Sequence, residues 1–144
     1  MKVLVQRVIK ASVEVEQKTV GSINKGLLLF IGFTKGDDIN IIDSLINKVL
    51  NLRIFDDENG VMNLSVLDVK KEILSISQFT LYANTKKGNR PSYIEALKGE
   101  EATLLYDLFN ERLSKFIKVE KGIFGADMKV SLINDGPITI MLEK

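Results

Sequence analysis

Two short polar segments interrupt apolar stretches, and they are where this sequence has chemistry to offer. Ser77-Gln78-Phe79-Thr80 brings two hydroxyls and a carboxamide to the end of a strand that should be buried. Buried polar groups need partners, so the segment is either a strand end that satisfies its own hydroxyls or part of a site. Asn134-Asp135-Gly136-Pro137-Ile138-Thr139 sets a proline directly before a strand, where it cannot donate to a ladder. Gly136 is unusually free in backbone conformation. This segment is either an ordinary Gly-Pro turn or a cis peptide that aims backbone carbonyls into a pocket.

The residues that are missing narrow the chemistry. The 144 residues include no histidine and no cysteine. That removes Ser-His-Asp and Cys-His catalysis, histidine or thiolate metal sites, and the usual general base near neutral pH. An enzyme built on this chain works with carboxylates, lysine, backbone groups or the substrate itself. No cofactor or metal is expected. Without cysteine there are no disulfides, which fits a reducing compartment.

Other polar clusters read as ordinary structure. Asp56-Asp57-Glu58-Asn59-Gly60 fails as a calcium loop because the first ligand position, counted back from Gly60, is Phe55. It reads as a solvated turn. Gly32 and Gly36 lack the spacing and the Lys-Ser/Thr pair of a phosphate loop. Lys86, Lys87 and Arg90 form a small basic loop that is either plain surface or a contact for RNA phosphates. Tyr82 and Tyr93 flank it, either partly buried or free to stack on a base. Arg7, next to Gln6, is either a surface arginine or a partner for a carboxylate that steadies the Gly-Pro segment.

These segments need elements to hold them. Val3, Val5, Val13 and Val15 alternate with polar residues, the period of half-buried strands. Leu27-Leu28-Leu29-Phe30-Ile31 reads as a strand buried on both faces. Asp37 or Asp38 caps a helix that runs to about Arg53, with Ile41, Ile42, Leu45, Ile46, Val49 and Leu50 on its apolar face. Glu72 to Leu81 reads as a central strand and Ala83 to Arg90 as a loop. Glu100 to Phe116 reads as a second amphipathic helix with Leu104, Leu105, Leu108, Phe109, Leu113 and Phe116 in one stripe. Met128 to Ile133 and Ile138 to Leu142 read as two strands joined by Asn134 to Pro137. The expected fold is therefore one α+β domain over residues 1–144, a mostly antiparallel sheet or barrel with two main helices packed against it. The first seven residues are interrupted by charge and do not read as a signal peptide. The longest apolar run, Leu27 to Phe33, is far short of a membrane span. A cytoplasmic protein is expected, with no membrane partner. The net charge of +1 argues against tight non-specific binding of nucleic acid but allows a brief local contact.

Taken together and in order, five segments resemble the D-aminoacyl-tRNA deacylases, once called D-tyrosyl-tRNA deacylases. They are Gln6-Arg7-Val8 with Ala11-Ser12-Val13, Ser77-Gln78-Phe79-Thr80-Leu81, Arg90-Pro91-Ser92, Phe124-Gly125-Ala126-Asp127-Met128, and Asn134 to Thr139. Gly125 and Ile138 are conservative departures. The resemblance implies a homodimer with two sites at its interface. Each site would combine Ser77, Gln78, Phe79 and Thr80 of one subunit with Gly136 and Pro137 of the other, joined by a cis bond. Thr139 and Arg7 would count with Gly136 and Pro137 as substrate-binding residues of the chiral filter. The implied reaction is hydrolysis of the ester of D-aminoacyl-tRNA, and of glycyl-tRNA mischarged on tRNA(Ala).

The physics is consistent with this. An activated ester needs less help than an amide, so a site without histidine suffices. The Phe79 and Thr80 N–H groups can stabilise an oxyanion, and the ribose 2′-hydroxyl or a water can act where the Thr80 side chain does not. If the Gly136 and Pro137 carbonyls grip the α-amino group, an L side chain strikes the wall and glycine escapes it. The competing expectation is a non-catalytic nucleic-acid-binding homodimer of the same fold. It would go with a degraded Ser-Gln-x-Thr or Gly-Pro segment, and both are intact.

Overall fold

The alternating valines near the start fall on one 14-residue strand around which the sheet is organised. The protein, a computed structural model, is described over residues 1–144. Its elements are β1 (Lys2–Val15), β2 (Lys18–Ile23), β3 (Gly26–Gly32), α1 (Ile39–Asn51), β4 (Phe55–Asp56), β5 (Met62–Leu64), β6 (Glu72–Ser77), a 3-10 turn (Phe79–Tyr82), α2 (Gly99–Leu113), β7 (Val119–Lys121) and β8 (Lys129–Glu143). On one edge, β1 pairs with β8 along almost its whole length. On the other, its first half pairs with β3 and its second half with β2. All these pairings are antiparallel, while β3, β6 and β7 run parallel to one another. The sheet curls until it is nearly closed, with two helices against it, as the sequence pattern predicts.

The curl makes two cores. Val3 and Val5 face the helices with Leu27, Leu29, Ile31, the buried residues of α1, and Tyr106, Phe109 and Leu113 of α2. Val8, Ala11 and Val13 face the other way and meet Ile23, Leu28, Leu74 and Ile76 inside the curled sheet. Strand β3 has apolar side chains in both cores, which is why it reads as a continuous apolar run.

Helix α1 follows its sequence pattern. Asp38 caps it, its Oδ1 accepting from the Asn40 and Ile41 N–H groups at 2.9 and 3.0 Å. Ile42, Leu45, Ile46, Val49 and Leu50 are buried. Helix α2 follows the expected stripe in part: Phe109 and Leu113 are buried and Leu105 and Leu108 pack against the core, but the helix ends at Leu113, short of Phe116. Leu104 and Phe116 are exposed, and the buried face is Ala102, Tyr106, Phe109, Asn110 and Leu113. These residues recur at helical spacing, and Tyr106 reaches the Ser75 carbonyl at 2.8 Å. The polar tip of Tyr106 hid its place in the core.

Two boundaries also differ. Strand β6 stops at Ser77 and does not reach Leu81. Gln78 still donates to the Ile31 carbonyl at 2.7 Å, but β3 ends at Gly32, so no ladder remains and the chain coils into the 3-10 turn. The two expected C-terminal strands are one strand, β8, with a bulge. Gln6 pairs with Thr139 and Val8 with Asn134, so four residues of β8 (Asp135, Gly136, Pro137 and Ile138) stand opposite Arg7 alone. No helix is long and apolar enough to cross a membrane.

Candidate active site

A cleft of about 280 Å³ opens at the C-terminal ends of the parallel strands β3 and β6. Ligands of sheets with parallel strands commonly bind at that end. Its floor is apolar, formed by Ile31, Phe33, Ile76, Leu97 and Ala102. Ser77, Gln78 and Phe79 form one wall, and Phe124 to Met128 form the facing wall. The structure thus brings together two segments that lie far apart in the chain.

The wall of Ser77 to Phe79 leads into Thr80, just outside the cleft lining, and is shaped by the turn that replaces the end of the strand. Leu81 donates to the Gln78 carbonyl at 3.3 Å and Ala83 to the Thr80 carbonyl at 3.0 Å. The ladder of the turn therefore begins at Leu81 and does not use the Phe79 and Thr80 N–H groups. The turn packs closely on Gly32, whose added Cβ would lie 3.0 Å from the Gln78 carbonyl oxygen. The Gln78 side-chain amide donates to the Thr80 hydroxyl. Within the chain, no carboxylate or ammonium is hydrogen-bonded to that hydroxyl. The unengaged Phe79 N–H lies at the wall beside an apolar floor, with the unengaged Thr80 N–H next to it in the chain, an arrangement suited to negative charge developing on an ester oxygen.

The Gly-Pro segment lies elsewhere. Gly136 and Pro137 are exposed on the bulge of β8 and do not line their own chain's cleft. The peptide between them is cis. Gly136 has φ +120°, and its Cβ would sit 2.8 Å from the Ile138 side chain, so only glycine fits. Side chains hold the bulge from both ends. Asn134 accepts from the Ile138 N–H at 2.8 Å and donates to the Thr139 hydroxyl at 3.0 Å. Gln6 donates to the same hydroxyl at 3.1 Å.

Arg7 lies beneath the bulge, only 7% exposed. Its Nε approaches the Asp135 carboxylate at 3.2 Å and the Asp135 carbonyl at 3.4 Å. Its Nη1 donates to the Ile54 carbonyl at 2.7 Å and lies 3.4 Å from the Asp56 carboxylate. The sequence left Arg7 open between a surface residue and a partner for a carboxylate; it has carboxylate partners. Reasoning from sequence did not pick out Asn134, although an asparagine just ahead of Gly-Pro is well placed to bond its own backbone.

Lys86, Lys87 and Arg90 are exposed on a loop closed by paired bonds between Asn84 and Ser92, at 2.8 and 2.9 Å. Tyr82 is buried beneath the Lys2 ammonium and presents no face for a base. The ring of Tyr93 instead meets Phe79 edge-on at 5.2 Å, which places the base of the loop at the lip of the cleft. Asp57 accepts from the Asn59 and Val61 N–H groups, so the acidic run is the solvated turn that its spacing suggests.

The family described as D-Tyr-tRNA(Tyr) deacylase matches residues 4–143. The structure of a c-Myc DNA unwinding element binding protein is 40% identical, with TM-score 0.95, over 100% of this chain and 99% of that one. The structure of a probable eukaryotic D-amino acid tRNA deacylase is 18% identical, with TM-score 0.83, over 98% of this chain and 97% of that one; that likeness is one of fold. With its cleft, its turn and its bulge in the matched region, the chain belongs to the D-Tyr-tRNA deacylase family of hydrolases, which act on the ester of D-aminoacyl-tRNA.

Proposed function

We propose that this chain acts as a homodimer that removes D-amino acids, and glycine mischarged on tRNA(Ala), from tRNA. Each cleft would be completed by the Gly136-Pro137 bulge of the other subunit. The observation that carries the reading is that neither the Phe79 nor the Thr80 N–H is engaged where the chain turns from cleft-lining Phe79 into Thr80, whose hydroxyl is bonded to Gln78. In the reading, the ester carbonyl oxygen sits between those donors. A water attacks the carbonyl carbon, its proton passes by way of the neighbouring ribose 2′-hydroxyl to the departing ribose oxygen, and collapse of the tetrahedral intermediate releases the tRNA hydroxyl and the free amino acid. The developing oxyanion is stabilised without any side-chain proton transfer.

Selectivity in this reading comes from the bulge. It is exposed, braced by Arg7 and Asn134, and absent from its own cleft, as a part built to enter a neighbour would be. Its carbonyls would hold the substrate ammonium, so that a D side chain points outward and an L side chain meets backbone. The basic loop with Lys86, Lys87 and Arg90 would touch the acceptor end. We place this activity in the cytoplasm, with the charged tRNA pool. The test is deacylation of D-tyrosyl-tRNA, glycyl-tRNA(Ala) and L-tyrosyl-tRNA by purified protein. The first two should be cleaved and the third spared; equal rates on D- and L-tyrosyl-tRNA would end the reading.

A second reading is favoured by the 40% identical relative, which by its name binds a DNA unwinding element. The chain would then bind nucleic acid without hydrolysing anything. Binding of an unwound duplex at physiological salt, together with inert D-tyrosyl-tRNA, would select it.

A further inference from the structure

We infer that Tyr93 is a positioning residue for the Phe79 turn and ties that turn to the basic loop. The inference rests on the deacylase reading of the cleft. Both ends of the turn are anchored: Gln78 by its bond to the Ile31 carbonyl, and Tyr82 by burial against Gly32. The middle is less constrained, since the Phe79 side chain is 47% exposed. The Phe79 backbone carries one of the two free donors. Its ring has one aromatic neighbour, Tyr93, at a centroid distance of 5.2 Å and an interplanar angle of 71°. Edge-to-face pairs of this kind are attractive and directional.

Tyr93 can serve as a stop because its own backbone is held on both sides. Just before it, Asn84 and Ser92 exchange two backbone bonds. Just after it, Ala96 donates to the Tyr93 carbonyl at 3.1 Å, the Thr34 hydroxyl donates to the Glu95 carbonyl at 2.6 Å, and Leu97 donates to the Phe33 carbonyl at 2.8 Å. Phe33 and Leu97 themselves line the cleft. The next residue, Ile94, is 88% exposed, so Tyr93 is the side chain that this segment turns back towards the site. Arg90 lies three residues earlier, so the strap that carries the basic loop also carries this stop. The Tyr93 hydroxyl makes no hydrogen bond in the chain, so the ring is the working part.

The test compares Tyr93→Phe, Tyr93→Ala and Tyr93→Leu by steady-state deacylation of D-tyrosyl-tRNA and by thermal melting. Losing the ring edge should lower kcat by about five- to tenfold, the size expected for one aromatic pair. KM should stay within about twofold, because the substrate's own contacts remain. Tyr93→Phe should match the wild type. If Tyr93→Ala fails to fold, Tyr93→Leu, which keeps bulk without an aromatic edge, gives the same reading. Wild-type kcat in the folded Ala or Leu variant, or a Phe variant as impaired as they are, overturns the inference. An inactive wild type would instead overturn the deacylase reading.

Discussion

At Thr80 the hydroxyl and the backbone N–H make opposite predictions. If the N–H is what matters, Thr80→Ala keeps it and should stay within about tenfold of the wild-type rate, whereas a lost oxyanion donor costs about 100- to 1,000-fold. Single-turnover deacylation separates the two, and a collapse in rate with the fold intact would make the side chain the nucleophile. Arg7 acts at one remove. Arg7→Met removes the guanidinium from Asp135, Asp56 and the Ile54 carbonyl, and should lower stability by about 2 kcal/mol while loosening the bulge. Thermal melting and D-tyrosyl-tRNA kinetics should both register it; a variant unchanged in both would leave Arg7 without a role. Residues of this kind were only partly legible. Ser77 to Thr80 and Gly136-Pro137 stood out as polar or constrained residues breaking apolar runs. Asn134 stood inside one of these segments and Tyr93 beside the basic loop, but their roles did not show, because those depend on contacts the sequence does not display: one with the bulge's own backbone, the other with a ring 14 positions away.

Elements follow the same rule. Helix α1 and strand β3 were readable because a cap and an unbroken apolar pattern fix them locally. Helix α2 was only partly legible because Leu104 and Phe116 look like core residues, whereas burial is set by what the sheet presents, and it presents the Ser75 carbonyl to Tyr106. The end of β6 and the continuity of β8 depend on partner strands, and no local pattern encodes where a partner stops. Gly26 shows how tight those pairings are. An added Cβ there would lie 1.9 Å from the Glu72 carbonyl oxygen, where β3 meets β6. Gly26→Ala should therefore push the two strands apart and lower the melting temperature by several degrees, with a loss of about 1–3 kcal/mol. An unchanged melting curve would mean that the start of β6 is free to move.

Across the whole molecule, a net charge of +1 and a small basic loop imply a light grip on RNA. If only one or two phosphates are neutralised, log KM should rise with log salt with a slope of no more than about 2; a steeper slope would reveal a larger footprint. Between neutrality and acid, the carboxylates set how stability depends on pH. The Ser65 hydroxyl and N–H hold the Asp68 carboxyl below its usual 3.8, and the hydrogen bond from Lys118 holds Glu72 below its usual 4.5. Depressed carboxylates add stability above those unfolded-state values and lose it as pH falls through the folded ones. The melting temperature should be flat from about pH 5 to neutrality and fall below about pH 4; a decline beginning near neutral pH would contradict this. The central claim is that each site is built from two subunits, and co-expression of two inactive variants tests it most directly. Ala126→Phe fills the cleft, and Gly136→Val displaces the bulge. Mixed dimers would contain one site with both halves intact, so the co-expressed pair should recover about a quarter of wild-type activity on D-tyrosyl-tRNA. Purified mixed dimers with no recovered activity would show that the cleft and the bulge do not meet across subunits.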